Sequence, residues 1–161
     1  MKNKLDKIDI KILELLQENS KVTAKTIGEN LNLSQTPIFE RIKKLEKEGY
    51  IKNYMAILSE WKLGLKQTVF IGITLNGHTR SYLEKFLAKV NNFHEVLECY
   101  QVTGNFDYML KVVVKDIDAY QTFVETKLSM ISELNNVHTY IVTKKGKQSN
   151  KLDLSFLEDL V

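Results

Sequence analysis

Apolar side chains recur at helical intervals through the first third of the chain and at strand-like intervals beyond it, so the period itself divides the sequence. Asp6 opens a first helix as its N-cap, with Ile8, Ile12, Leu15 and Leu16 facing inward. Asn19-Ser20-Lys21 reads as a turn, and Thr23 caps a second helix from Ala24 to about Asn30, with Ile27 and Leu31 inward. Asn32-Leu33 turns the chain again, and Ser34 opens a third helix that stops at Gly49, a left-handed C-terminal position. Pro37, the only proline, is tolerated there because first-turn amides have no intrahelical partner. Ile38, Ile42 and Leu45, spaced by 4 and 3 residues, make an apolar stripe. Gln35, Thr36, Glu40, Arg41, Lys43, Lys44 and Lys47 occupy the opposite face, and two helices across a tight turn form a helix-turn-helix. Tyr50–Leu58 mixes β-formers with Asn53 and predicts a two-stranded wing or a strand leading into a linker; Ser59–Lys66 is the connection, with Trp61 as a packing anchor.

From Gln67 the elements alternate differently. Thr68–Leu75 is a strand ending at the turn Asn76-Gly77, and Arg80–Val90 is an amphipathic helix. Glu95–Thr103 and Tyr108–Val114 are strands joined by Gly104–Asp107; a helix capped by Asp116 or Asp118 runs to about Ser132, and Val137–Thr143 is the last strand. The order βαββαβ specifies a ferredoxin-like sandwich, one antiparallel sheet with both helices on one face. The fold class is thus α+β, with residues 1–58 as a helix-turn-helix domain, 59–66 as linker and 67–161 as the ferredoxin-like domain. Apolar residues on both faces of the strands (Phe70; Met109, Val113) favour a second subunit over the uncovered face.

Composition narrows the class. The 161 residues are 43% hydrophobic, no apolar run approaches the length needed to span a bilayer, and the charged N-terminus has no signal-peptide core. With a single cysteine, Cys99, no disulfide framework or multi-cysteine zinc site is available, which points to the cytoplasm. Residues 1–66 carry 13 basic against 9 acidic side chains and residues 67–161 carry 10 against 11, so the basic surplus lies in the first part.

Polar groups at the start of the third helix followed by cations suit base edges and phosphates, although a solvated basic helix has the same composition. The capped helix before it and the wing-like segment after it favour double-stranded DNA. The candidate contacts are Thr23, Ser34, Gln35, Thr36, Glu40, Arg41, Lys43 and Lys44. His78, His94 and His138 share no metal-ligand spacing, and no catalytic grouping or nucleotide loop occurs, so neither enzyme activity nor a cofactor is expected. Tyr108–Val114 also lacks the aromatic pattern of an RNA-recognition strand.

The motifs resemble the leucine-responsive/asparagine-responsive (Lrp/AsnC, "feast/famine") family of transcription regulators, end to end. They are Leu5-Asp6-x-x-Asp9-x-x-Ile12-Leu13, then Leu33-Ser34-x-x-Pro37-x-x-x-Arg41-Ile42-x-x-Leu45-Glu46-x-x-Gly49-x-Ile51. The second half supplies Glu98-Cys99-x-x-Val102-x-Gly104-x-Phe106-Asp107-Tyr108-x-Leu110-Lys111, Thr139-x-Ile141-Val142 and Lys147-Gln148-Ser149. The resemblance implies a homodimer assembling into a higher oligomer, typically an octamer, with a small effector, commonly an amino acid, held where dimers meet. Tyr100, Gln101, Val102, Thr103, Gly104, Asn105, Asp107 and Tyr108 would hold its amino and carboxylate groups, with Thr139, Ile141 and Thr143 from a neighbouring strand. Asn105 stands where the family usually carries an aspartate that would help hold an ammonium group. An effector-independent architectural DNA-binding protein therefore stays open as the alternative.

Overall fold

A computed structural model describes residues 5–158, which divide into two compact units. The first runs to Ile57 and takes back the segment from Lys147; the second spans Leu58–Gly146.

The first unit is built on helices α1 (Lys7–Glu18), α2 (Ala24–Leu31) and α3 (Gln35–Lys47). Asp6 and Asp9 form a capping box at α1: the Asp9 amide donates to Asp6 Oδ1 at 2.9 Å, and the Asp6 amide donates to Asp9 Oδ2 at 3.2 Å. Ile12, Ile27, Ile38 and Leu45 close the core. The turn between α2 and α3 depends on two residues. Asn32 adopts a left-handed conformation (φ 55°), and Leu33 N–H donates to the Gly28 carbonyl at 2.9 Å. A Cβ on Gly28 would lie 2.6 Å from the Leu33 carbonyl oxygen, so the turn can approach α2 only because residue 28 has no side chain. α3 ends in a Schellman motif: Gly49 has φ 78°, and the amides of Gly49 and Tyr50 donate to the carbonyls of Glu46 and Leu45.

Residues 50–58 carry no hydrogen-bonded ladder among the described residues, so the expected two-stranded wing is not formed within the chain. Met55 and Ile57 are exposed there, and none of the described strand pairings includes this segment. The tail also departs from its expected place in the second domain. Leu152 exchanges two hydrogen bonds with the Gln17 side-chain amide, and Lys151 pairs with Glu18, so the tail leading to α6 (Ser155–Glu158) is held by α1. The expected tail residues 159–161 lie outside the described residues.

The second unit contains β1 (Gln67–Leu75), α4 (Arg80–Val90), β2 (Val96–Gln101), β3 (Tyr108–Val114), α5 (Ile117–Thr126) and β4 (Leu134–Ile141). The strands form one antiparallel sheet in the order β2-β3-β1-β4, the ferredoxin-like arrangement. Alternate residues Val69, Ile71, Ile73 and Leu75, with Leu110, Val112 and Val114, pack under Phe86, Val90, Tyr120 and Phe123 of the helices. α5 ends before the expected Ser132. Thr126 and Ser129 turn their hydroxyls back to the carbonyls of Thr122 and Glu125, and a short 3₁₀ turn (Leu128–Met130) leads into β4. The opposite sheet face is not covered by α4 or α5. Phe70 and Tyr140 are 37% and 49% exposed there, while the Phe106 ring lies over Gly72, where a Cβ would come within 2.8 Å of it. Trp61, expected as a packing anchor, is 70% exposed.

Replacing glycine by alanine in a helix ordinarily stabilises it, but the Leu33 backbone cannot yield at Gly28. Gly28→Ala is therefore expected to destabilise the protein by about 1–3 kcal/mol in thermal unfolding. An unchanged or raised midpoint would contradict this account of the turn.

Candidate nucleic-acid interface and effector loop

The exposed face of α3 is where sequence and structure meet most closely. Ser34, Gln35, Thr36, Glu40 and Lys43 are all exposed, and Lys44 is half-buried at the edge. Ser34 occupies the N-cap position without making a side-chain cap bond. One amide that such a hydroxyl normally reaches belongs to the third helical residue, and there Pro37 has no N–H. The hydroxyl and the first-turn amides thus face outward at the positive end of the helix dipole, a setting that favours a phosphate oxygen. Thr23 is committed differently: its hydroxyl accepts the Thr26 amide at 3.1 Å and lies 3.0 Å from the Thr26 hydroxyl, so it caps α2.

Arg41 does not belong to that face. It follows Ile38 by three residues and precedes Leu45 by four, which turns it toward the core side of α3. Its Nη1 donates to Asp6 Oδ2 and Asp9 Oδ1, each at 2.6 Å. Asp9 is 2% exposed. The expectation that Arg41 contacts phosphate or guanine is corrected accordingly: two carboxylates neutralise the guanidinium, which ties α3 to the N-terminus of α1. Burial works against the charge of Asp6, but the Asp9 amide and the Arg41 guanidinium outweigh it and hold this carboxyl below the usual aspartate range. Phe39 is the residue of the exposed face that sequence reasoning passed over. It is 45% exposed, with Lys43 Nζ 4.5 Å from its ring centroid.

The effector candidates fall into separate groups. At the β2–β3 connection, the Val102 amide donates to the Asp107 carbonyl at 3.0 Å and the Asp107 amide to the Ile73 carbonyl at 2.8 Å. The Asp107 carboxylate accepts the Leu75 amide at 2.7 Å through Oδ2, and Oδ1 lies 2.8 Å from His78 Nε2. Because a carboxylate only accepts, Nε2 carries the proton in that bond. Both oxygens are thus engaged within the chain, and Asp107 anchors the loop to β1 rather than standing free for an ammonium group. His78 had no signal in the sequence, because it lies 29 residues from its partner. Between these anchors Thr103, Gly104 and Asn105 are exposed, and Gly104 has φ 119° with no atom within 4 Å of where a Cβ would be. Tyr100 and Gln101 are exposed on β2, with the Tyr100 hydroxyl donating to Glu98 at 2.7 Å; Val102 is half-buried.

Four candidates stand apart from this loop within one chain. Tyr108 is 1% exposed and alternates with Leu110 and Val112, so it belongs to the core, its ring centroid 4.7 Å from that of Phe86 and tilted by 40°. Thr139 shares a 2.5 Å hydrogen bond with the Tyr120 hydroxyl. Ile141 is paired with Val69, toward the start of β1, and Thr143 lies beside Thr68 in an open depression with Trp61 and Lys66. From the Ile73 level, where Asp107 is held, Thr143 is displaced by about 20 Å along β1. No grouping able to hold a metal ion occurs among the described residues, and no described helix is long and apolar enough to cross a membrane.

A capped helix-turn-helix with an exposed polar and basic reading helix, joined to a βαββαβ unit with an open loop, defines a DNA-binding regulator with a separate ligand-binding domain. A winged helix-turn-helix DNA-binding family model matches residues 5–52, and the Lrp/AsnC ligand binding domain model matches residues 68–152. The leucine-responsive regulatory protein of Salmonella typhimurium is 38% identical over 92% of this chain and 90% of its own length; that of Escherichia coli K12 is 37% identical over the same shares. Among solved structures, a transcriptional regulator from Neisseria meningitidis in complex with L-Met superposes with a TM-score of 0.91 at 35% identity, covering 95% of this chain and 99% of that one. An AsnC family transcriptional regulator from Agrobacterium tumefaciens gives 0.89 at 35% identity, over 94% and 99%. The chain belongs to the Lrp/AsnC family of transcription regulators. Its relatives are regulators rather than enzymes.

The clamp can be tested without DNA. Arg41→Met leaves the buried Asp9 carboxylate unpaired and is expected to cost about 3 kcal/mol at neutral pH. Asp6→Asn keeps a capping side chain and removes only the charge. Since the folded pKa of Asp6 is lowered, its contribution is complete above the ordinary aspartate pKa and fades as pH falls through the lowered value. Thermal unfolding of wild type and Asp6→Asn should converge in acid. A pH-independent gap would contradict the assignment.

Proposed function

We propose that this protein is a sequence-specific DNA-binding regulator, acting in the cytoplasm, whose second unit binds an amino acid at the β2–β3 loop within an assembly of dimers arranged as an octamer. The observation that carries the reading is the loop itself. Thr103–Asn105 is exposed between two fixed ends, Val102 and Asp107, so its backbone donors and acceptors are held in place for a small zwitterion. The L-Met complex of the Neisseria relative supports an amino acid as the ligand class. Asn105 offers an amide carbonyl to an ammonium group in place of a charge, which favours a weaker or differently selected amino acid than an aspartate would. No other cofactor is proposed.

The open sheet face supports self-association. Phe70 and Tyr140, with the half-buried Phe106 and Met109, leave apolar surface on the face that α4 and α5 do not cover, and a second copy is its simplest cover. An effector shifts regulation only if it binds one assembly state more tightly than another, so a site completed by a neighbouring dimer provides the required difference. In that arrangement Thr139, Ile141 or Thr143 could contribute from another copy, although none reaches the loop within its own chain.

Calorimetric titration of the full chain with each of the twenty amino acids tests the effector. Saturable heat is expected from at least one, abolished by Gly104→Val, with a change in sedimentation of the wild type at saturating ligand. No heat from any of them would overturn the sensor reading and favour an architectural DNA-binding protein.

A further inference from the structure

We propose that Phe39 reads a thymine C5-methyl group in the major groove, giving the reading helix an apolar specificity contact. The inference rests on α3 being the DNA-reading helix and deepens that assignment. Phe39 succeeds Gln35 by four residues and precedes Lys43 by four, so it stands on the outward side of α3 among side chains suited to base edges and phosphates. Adjacent Ile38 is fully buried, whereas Phe39 keeps 45% of its surface exposed and contributes to neither hydrophobic core. A lone exposed aromatic on an arbitrary surface would need no explanation, but this one occupies a face otherwise made of polar and charged groups. The base edges of the major groove present hydrogen-bonding groups and a single kind of apolar group, the thymine methyl. An apolar side chain carried into that groove therefore has one chemical partner.

The ring is also pre-positioned. Lys43 Nζ sits 4.5 Å from its centroid, so the ammonium covers one face and restricts ring rotation, leaving the edge and the other face to the DNA.

The test uses the full-length protein and a fragment selected by it from random-sequence DNA. Each thymine is replaced in turn by deoxyuridine, which lacks only the methyl. Binding of wild type, Phe39→Ala and Phe39→Leu is then measured at several salt concentrations. At one thymine position per half-site, wild type should lose about fourfold in affinity, the worth of one buried methyl. Phe39→Ala should bind the thymine and deoxyuridine fragments equally, and Phe39→Leu should retain part of the discrimination. The salt slope of Phe39→Ala should match wild type. Three outcomes overturn the proposal: no deoxyuridine position at which wild type and Phe39→Ala differ, a shallower salt slope in Phe39→Ala, which would make the ring only a support for Lys43, or an effect on assembly state alone. Failure of wild type to select any sequence would overturn the reading assignment of α3 together with this inference.

Discussion

The ion cluster of Arg41 with Asp6 and Asp9 fixes how the DNA-reading helix is presented. The two carboxylates already cap α1 by accepting each other's backbone amides, so the guanidinium joins the beginning of α1 to the middle of α3 in one connected network. With Asp9 buried, removal of Arg41 exposes the fold to the cost of an uncompensated interior charge. The outward face of α3 follows from that anchor. Once Arg41 points to α1 and Ile38 and Leu45 to the core, helical geometry sends Thr36, Phe39, Glu40 and Lys43 to solvent.

The second unit is organised around another carboxylate that gathers distant donors. Asp107 gathers a backbone amide of β1 and the His78 ring around one carboxylate, and the Phe106 ring seals against the bare backbone at Gly72. These contacts fix both ends of a short segment and leave Thr103–Asn105 uncovered. A loop rigid at its ends and open at its tip suits recognition, because little ordering entropy remains to be lost on binding.

Much of this was legible in the sequence because it rests on local periodicity. The caps at Asp6, Thr23 and Asp116, the left-handed Gly49, the helix Arg80–Val90 and the strand Tyr108–Val114 all depend on neighbours a few residues away. Two errors were also within reach of the same reasoning. Arg41 lies on the Ile38–Leu45 stripe, and Tyr108 keeps the alternation of Leu110 and Val112, so their inward placement follows from spacing alone. What spacing could not supply were long-range partners. The His78–Asp107 bond spans 29 residues, and the Gln17 clasp on Leu152 spans 135. Residues 50–58 form no ladder among the described residues for a related reason: β-propensity describes a surface that fits a partner strand, and none of the described pairings supplies one.

We propose a division of labour among the cations of one helix: Arg41 holds the fold, while Lys43 is left for the DNA. The salt dependence of binding to one selected fragment separates the two, because its slope counts released counterions and is insensitive to the fraction of protein folded. Lys43→Ala should make the log–log slope shallower by about 1 per subunit contact, and Arg41→Met should leave the slope at the wild-type value. A shallower slope for Arg41→Met, with Lys43→Ala unchanged, would contradict the account.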